Sequence, residues 1–111
     1  MPCYQIFFID EIDDLHCNLN GVRFIGRLIN FCSVTGYGLV SDSDKSNART
    51  LRVDFTNIED IAFKVGSYYQ VEAKIVYRGQ PVTVRASKVR NVDGIDIQMY
   101  RDAVFARRRF L

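Results

Sequence analysis

Residues 22–31 read VRFIGRLINF. Val22, Phe24, Gly26 and Leu28 fall on one side of an extended chain, and Arg23, Ile25, Arg27 and Ile29 on the other, so the stretch is a β-strand with one apolar and one mixed face. Glycine in mid-strand weakens a flat sheet, and its use is at a bulge or kink where the strand bends from one sheet into the next. A strand that bends in this way suggests a barrel.

The flanking segments extend the pattern. Ser33-Val34-Thr35-Gly36 is a turn cluster leading into a second strand, Tyr37 to Val40, and the two strands form a hairpin. Ser41 to Arg49 has no apolar period and reads as a mobile loop. Leu51, Val53 and Phe55 alternate with Arg52 and Asp54 in a third strand. Thr56, with Glu59 three residues on, has the pattern of a capping box and predicts a short helix through Phe63, which Gly66 brings to an end. From Tyr69 to Tyr77 the odd positions are apolar or aromatic and the even ones polar apart from Val76, the clearest strand in the chain. After the turn Arg78-Gly79-Gln80-Pro81, Val82, Val84 and Ala86 give the inner face of a fifth strand, whose alternation slips near Lys88 and Val89 as at a bulge. Asn91 to Gly94 is a polar break, and Ile95 to Phe110 is a helix.

The expected fold is all-β with flanking helices: a five-stranded OB-fold Greek-key barrel with a short helix between the third and fourth strands and a long C-terminal helix. The expected organisation is one OB-fold domain over residues 1–111, with an N-terminal extension (1–20), the barrel (22–91) and the C-terminal helix (95–110). Composition agrees. A chain of 111 residues with 48% hydrophobic and 25% charged residues has the balance of one ordinary domain, and a domain of that length carries its own core without staples.

Fifteen Lys and Arg against thirteen Asp and Glu leave a net charge of +2, too small for a protein held on nucleic acid by charge alone. Residues 1–20 hold four acids and no Lys or Arg, whereas Arg101, Arg107, Arg108 and Arg109 crowd the other end. Cys3, Cys17 and Cys32 form no CxxC pair, and their odd number predicts a reducing compartment. His16 and Cys17 are adjacent, a spacing that does not usually aim two side chains at one site, and the chain has no second His, so neither metal nor cofactor is expected. No apolar run approaches the roughly 20 residues of a membrane span, and a soluble intracellular protein is expected, with no membrane partner. No carboxylate pair, activated nucleophile or phosphate-cradling glycine loop stands out, so the expected function is non-catalytic.

Binding chemistry remains. On a helical wheel Ile97, Tyr100 and Val104 form one stripe, suited to packing on the barrel, while Met99, Ala103, Ala106 and Phe110 follow at steps of four, three and four on the opposite side. Small residues between larger ends let a second helix approach, which makes these four candidates for partner binding. The competing reading is a helix buried on both sides, between barrel and N-terminal segment. The face expected to bind ligands in an OB barrel offers Arg27, Tyr37, Arg49 and Arg52, with Lys45 and Arg78 in the loops. Aromatic rings stack on bases and cations track phosphates, so these six are candidates for nucleic-acid binding, against the alternative of a solvated barrel face.

The segments YQIFFIDEIDDL (4–15), GVRFIGRLINF (21–31), VTGYGLVSD (34–42), VDFTNIED (53–60), VGSYYQVEAKIVY (65–77) and IDIQMYRDAVFARRRF (95–110) together resemble the Ten-one family of telomere-capping proteins. That family supplies the smallest OB subunit of the CST complex (Cdc-thirteen, Stn-one, Ten-one). The resemblance implies a nuclear protein of the telomeric region of chromosomes. It would form a heterodimer with an Stn-one-like OB-fold protein through terminal helices, join a Cdc-thirteen-like subunit in the full complex, and support binding and protection of single-stranded telomeric DNA. The smallest subunit of replication protein A shares the order of elements, and an OB adaptor that binds only protein is a third reading. The acidic N-terminal segment ahead of the barrel favours the Ten-one family.

Overall fold

The structure, a computed structural model, describes residues 5–6, 8–12, 21–42, 49–59, 61–77 and 82–108. Strands are β1 (Gln5–Ile6), β2 (Val22–Cys32), β3 (Tyr37–Ser41), β4 (Thr50–Asp54), β5 (Tyr68–Tyr77) and β6 (Thr83–Asn91), with helices α1 (Ile9–Ile12) and α2 (Ile97–Arg108). The sheet order is β1-β2-β3-β4-β6-β5, and pairing of β2 with β5 closes it into a barrel. Five strands form the wall, and β1 adds a two-residue parallel pairing to the edge of β2.

β2 works for two neighbours. Val22 to Arg27 pair antiparallel with β5, and Arg27 to Cys32 pair antiparallel with β3. Gly26 stands just before the exchange, and its role is close approach: a Cβ there would collide with the Val40 side chain and lie 2.9 Å from the Ser41 carbonyl oxygen and 2.7 Å from Ile9 Cδ1. The bulge falls three residues later, between Leu28 and Asn30, so that Ile29 is looped out and Phe31 returns to the inner face. Two further irregularities bend β5 against β6, one beside Ser87 and one at Val76. The first matches the slip expected near Lys88 and Val89, and the second explains why Val76 breaks the alternation of its strand.

The core is filled by the inward rows Val22, Phe24 and Leu28, Val40, Leu51 and Val53, Tyr69, Val71 and Ala73, and Val82, Val84 and Ala86. Ile9 and Ile12, at 0% and 1% exposure, drop from the single turn α1 into this core, so the N-terminal segment contributes to the barrel's packing. At the other end Phe55, Phe31, Phe63 and Tyr69 form an aromatic chain with centroid separations from 4.4 to 6.1 Å.

The short helix expected from Thr56 to Phe63 is a correction: the described residues of this segment form a turn and irregular chain. Asp54 Oδ1 accepts both the amide (2.9 Å) and the hydroxyl of Thr56, so Thr56 is tied back to β4 instead of capping forward. Along this irregular path Ile58, Ile61 and Phe63 all pack on the core. Gly66, at φ +99°, then turns the chain and donates its amide to the Leu28 carbonyl at 2.7 Å, while the Tyr69 hydroxyl accepts from the Lys64 amide.

Replacing Gly26 by alanine forces the Val40 side chain and the backbone of β3 apart at the strand exchange. We expect Gly26→Ala to lower the unfolding free energy by about 1–3 kcal/mol, the range for overpacking a filled core, as measured by the urea midpoint.

Candidate functional site

Helix α2 begins at a cap that the reading of the helix as 95–110 passed over. The Asp96 carboxylate accepts the Met99 amide at 3.0 Å, and the Asp96 carbonyl accepts the Tyr100 amide at 2.9 Å, so Asp96 is the N-cap and the helical turns start at Ile97. Arg107 and Arg108 in the last turn suit the negative end of the helix dipole. Ile97, Tyr100 and Arg101 line a small crevice with Phe8, Ile9, Ile25 and Asp42. Ile97 and Tyr100 of the expected stripe therefore face the barrel, yet no described residue of α2 is buried.

What holds the helix is largely Phe8. Its ring meets Tyr100 edge-on at 6.3 Å and Phe105 at 5.0 Å, and the guanidinium groups of Arg101 and Arg108 stand 4.2 and 5.1 Å from its centroid. Cations over an aromatic face contribute about 0.5–1 kcal/mol each at exposed sites. Burial against this cluster raises the Tyr100 hydroxyl's pKa, with the charges of Arg23 and Arg108 opposing the rise. Phe8 was missed in the sequence because a short irregular segment has no period to show which partner an aromatic in it meets.

On the far side of α2, Met99 is 69% exposed, and Ala103 and Ala106 are exposed as well. Phe110, the fourth candidate for partner binding, lies outside the described residues. In this single chain the three described members of the seam face solvent, and the N-terminal Phe8 packs on the other side.

The nucleic-acid candidates divide. Lys45 and Arg78 lie outside the described residues, as do Cys3, His16 and Cys17. Tyr37 and Arg52 share the outer face of β3 and β4, where the register sets Tyr37 opposite Asp54 and Leu39 opposite Arg52. Arg27 lies opposite Ser41 on β2, and Ser41 lies opposite Thr50, next to Arg49, so this pair of cations stands at the other end of the same strands. The described residues therefore place Tyr37 and Arg52 on one outer face, with Arg27 on the neighbouring β2, its guanidinium near the turn at Gly66, and Arg49 just ahead of β4.

Arg85, which the sequence reading did not select, adjoins the face of Tyr37 and Arg52: its Nε donates to Asp54 Oδ2 at 3.1 Å. Burial of Asp54 acts to raise its carboxyl pKa, but the Thr56 hydroxyl and amide and the Arg85 charge outweigh it, and the pKa lies below the ordinary value. Asp93 is likewise held low, chiefly by the Tyr68 amide, which it accepts at 2.7 Å, with Ser67 and Asn91 adding to it. Cys32, exposed beside the hairpin turn, has its thiol pKa lowered by the Thr35 hydroxyl and by the amides of Thr35 and Val34. A cleft of about 400 Å³ at the aromatic end of the barrel, floored by Phe31, Phe55 and Phe63, is lined by no ionisable side chain among the described residues.

Comparison with known proteins agrees with this geometry. Residues 3–111 match the family described as "Telomere-capping, CST complex subunit". The CST complex subunit TEN1 of Arabidopsis thaliana is 34% identical over 92 residues, which cover 81% of this chain and 69% of the relative. Among solved structures, a chain of the S. pombe Stn1-Ten1 complex superposes with a TM-score of 0.76 at 18% identity, covering 96% of this chain and 93% of that one. The hypothetical protein ygiW of E. coli superposes with a TM-score of 0.60 at 11% identity, covering 79% and 90%. Both superpositions bear on the fold, and the first supports the OB barrel with a C-terminal helix.

Asp54→Asn keeps an acceptor for Thr56 but turns an amide group toward Arg85. Because the carboxyl's pKa is lower folded than unfolded, the stability it contributes is present above about pH 3.9, the value for a free aspartate, and is lost as pH falls through the folded value. Urea unfolding should show the variant weaker by about 1–2 kcal/mol at pH 7, discounted for the half-exposed Arg85. The two proteins should converge as the buffer is taken to strongly acidic pH.

Proposed function

We propose, from the premise that this chain belongs to the family of telomere-capping CST complex subunits, that it acts by assembly: a non-catalytic OB subunit that pairs with an Stn-one-like OB protein through the exposed seam of α2. The observation that carries this reading is a helix with no buried residue whose outer side presents Met99 at 69% exposure beside two exposed alanines. A helix docked by one face to its own barrel gains most of its order from what covers the other. Phe110, one turn beyond Ala106, would extend the seam. The full complex adds a Cdc-thirteen-like subunit, and the protein resides at chromosome ends in the nucleus.

The second part of the proposal concerns DNA. The outer surface of β3 and β4, with Tyr37 and Arg52, together with Arg27 of the neighbouring β2 and Arg49 just ahead of β4, assists in holding single-stranded telomeric DNA, with Lys45 and Arg78 as loop contributors. A net charge of +2 suits a subunit that adds to affinity within a complex.

Met99→Glu places a charge within the proposed helix contact, at its N-terminal end, where an unpaired buried charge costs several kcal/mol. Co-expression with an Stn-one-like partner should yield no heterodimer on size-exclusion chromatography, while circular dichroism of the variant alone matches the wild type. A variant that pairs normally removes Met99 from the interface. For the DNA face, Arg27→Ala combined with Arg52→Ala should leave pairing intact and weaken binding of the heterodimer to single strands about 10-fold at low salt. Loss of two phosphate contacts should also flatten the salt dependence by about 0.7 per contact, and unchanged affinity and slope would take both residues off that face.

A further inference from the structure

The phase of β6 changes at one residue. Val84 and Ala86 point into the barrel, so plain alternation would send Lys88 and Arg90 inward as well and turn Val89 out. The register prevents this: Glu72 and Ala73 are consecutive on β5, but their partners on β6 are Lys88 and Ala86, so Ser87 is the extra residue of a bulge. The Ser87 hydroxyl donates to the Glu72 carbonyl at 3.1 Å and pins the bulge in place. Beyond it Val89 packs on the core, and Lys88 and Arg90 join Arg85 on the outer face, all three exposed.

These cations stand at even steps. Lys88 and Arg90 are two residues apart, and so are Lys74 and Glu72, the partners of Arg85 and Lys88, which makes each step about 6.8 Å along the strand. Lys74, directly across from Arg85, adds a second charge at that end. Little on the face cancels them. Glu72, opposite Lys88, is taken by Arg23 of β2 at 2.6 Å, and Asp54 takes the Nε of an Arg85 whose side chain stays half exposed. Arg90 donates to Gln70 at 2.7 Å, a neutral amide that orients the guanidinium and leaves its charge. Lys74 and Lys88 have no side-chain partner among the described residues.

The spacing points to the partner. Alternate side chains of an extended peptide also lie about 6.8 Å apart, so carboxylates at every second position would meet Arg85 with Lys74, then Lys88, then Arg90. A single-stranded nucleic acid fits less well, because the outward side chains from Gln70 to Lys74 and from Arg85 to Arg90 include no ring on which a base could stack. We propose that the outer face of β5 and β6 docks an acidic, extended segment of a partner protein, with Asp or Glu at alternate positions, and that the Ser87 bulge sets the phase of the cations that receive it. This surface is separate from the seam of α2 and from the β3–β4 face, and the proposal rests on neither reading.

The test uses the full chain and a fluorescein-labelled peptide in which four aspartates alternate with serines, read by fluorescence anisotropy. Binding should weaken as salt rises and disappear when asparagine replaces aspartate. Lys88→Glu should weaken it about 10-fold at low salt, because a like charge then faces the carboxylates. Lys88→Gln, which sets no second acid opposite Glu72, should weaken it about threefold. Lys64→Glu, the same change of charge on an exposed residue outside the strip, should leave affinity within about twofold. A peptide of the same composition with its aspartates consecutive should bind about threefold more weakly than the alternating one. Absence of binding by the wild-type chain overturns the proposal, as does an equal loss in Lys64→Glu and Lys88→Glu. Equal affinity for the two aspartate peptides reduces the strip to net charge and overturns it too. A labelled oligo-dT strand that binds more tightly than the peptide, and loses as much on Lys88→Glu, would give the face to nucleic acid and overturn the proposal in favour of that ligand.

Discussion

The barrel depends on a single strand keeping two partners. β2 spends its first half on β5 and its second on β3, and these two ladders close the sheet. The exchange brings Val40 and the Ser41 carbonyl to within a side chain's thickness of Gly26, leaving no space for a Cβ. A longer side chain there would push β3 off β2, and with it β4, whose other partner among the described strands is β6. Ile9 Cδ1 reaches the same point from α1, so the N-terminal segment also takes its position from the missing side chain.

Once the barrel is closed and plugged by Ile9 and Ile12, little apolar surface is left for a terminal helix. α2 accordingly lies against the rim and touches the barrel through Ile97, Tyr100 and the Phe8 cluster. Phe8 follows the β1 pairing and directly precedes the α1 turn, so the strand addition of Gln5 and Ile6 to β2 fixes the ring that α2 leans on. The orientation of the exposed seam is thus set from the N-terminus, through stacking and cation–π contacts. Such contacts are weak one by one, and they hold a direction better than they hold a fold.

How much of this was legible in the sequence varies by element. The five wall strands were readable because a half-buried strand must alternate, and the rows centred on Phe24, Val53 and Val71 do so. The terminal helix and its two sides were readable for the same reason at period 3.6. The helix from Thr56 was misread because its cap signal is local, whereas the deciding partner, Asp54, lies two residues back and bends the chain the other way. Pairing of Arg85 with Asp54 depends on a parallel register between β4 and β6 that no local pattern encodes. The role of Phe8 depends on a contact between opposite ends of the chain.

The modest charge and the shallow docking of α2 belong to one argument. A chain with net charge +2 gains little from counterion release on its own, since each phosphate contact contributes only a fraction of a decade to the salt dependence. Useful affinity then requires the strand to be held at several places at once, and a second OB barrel fixed at a set angle supplies those places. Fixing the angle is a task for a rigid helix contact whose outer side is apolar and whose inner side is seated on the same barrel that carries the cations. Linking two weak sites makes the second binding event intramolecular and raises affinity without adding a contact to either. In this protein the helix proposed to contact the partner and the wall proposed to meet the strand are joined through Ile25 and Arg27, alternate outward residues of β2, so the strand that closes the barrel also ties the proposed partner surface to the proposed nucleic-acid surface.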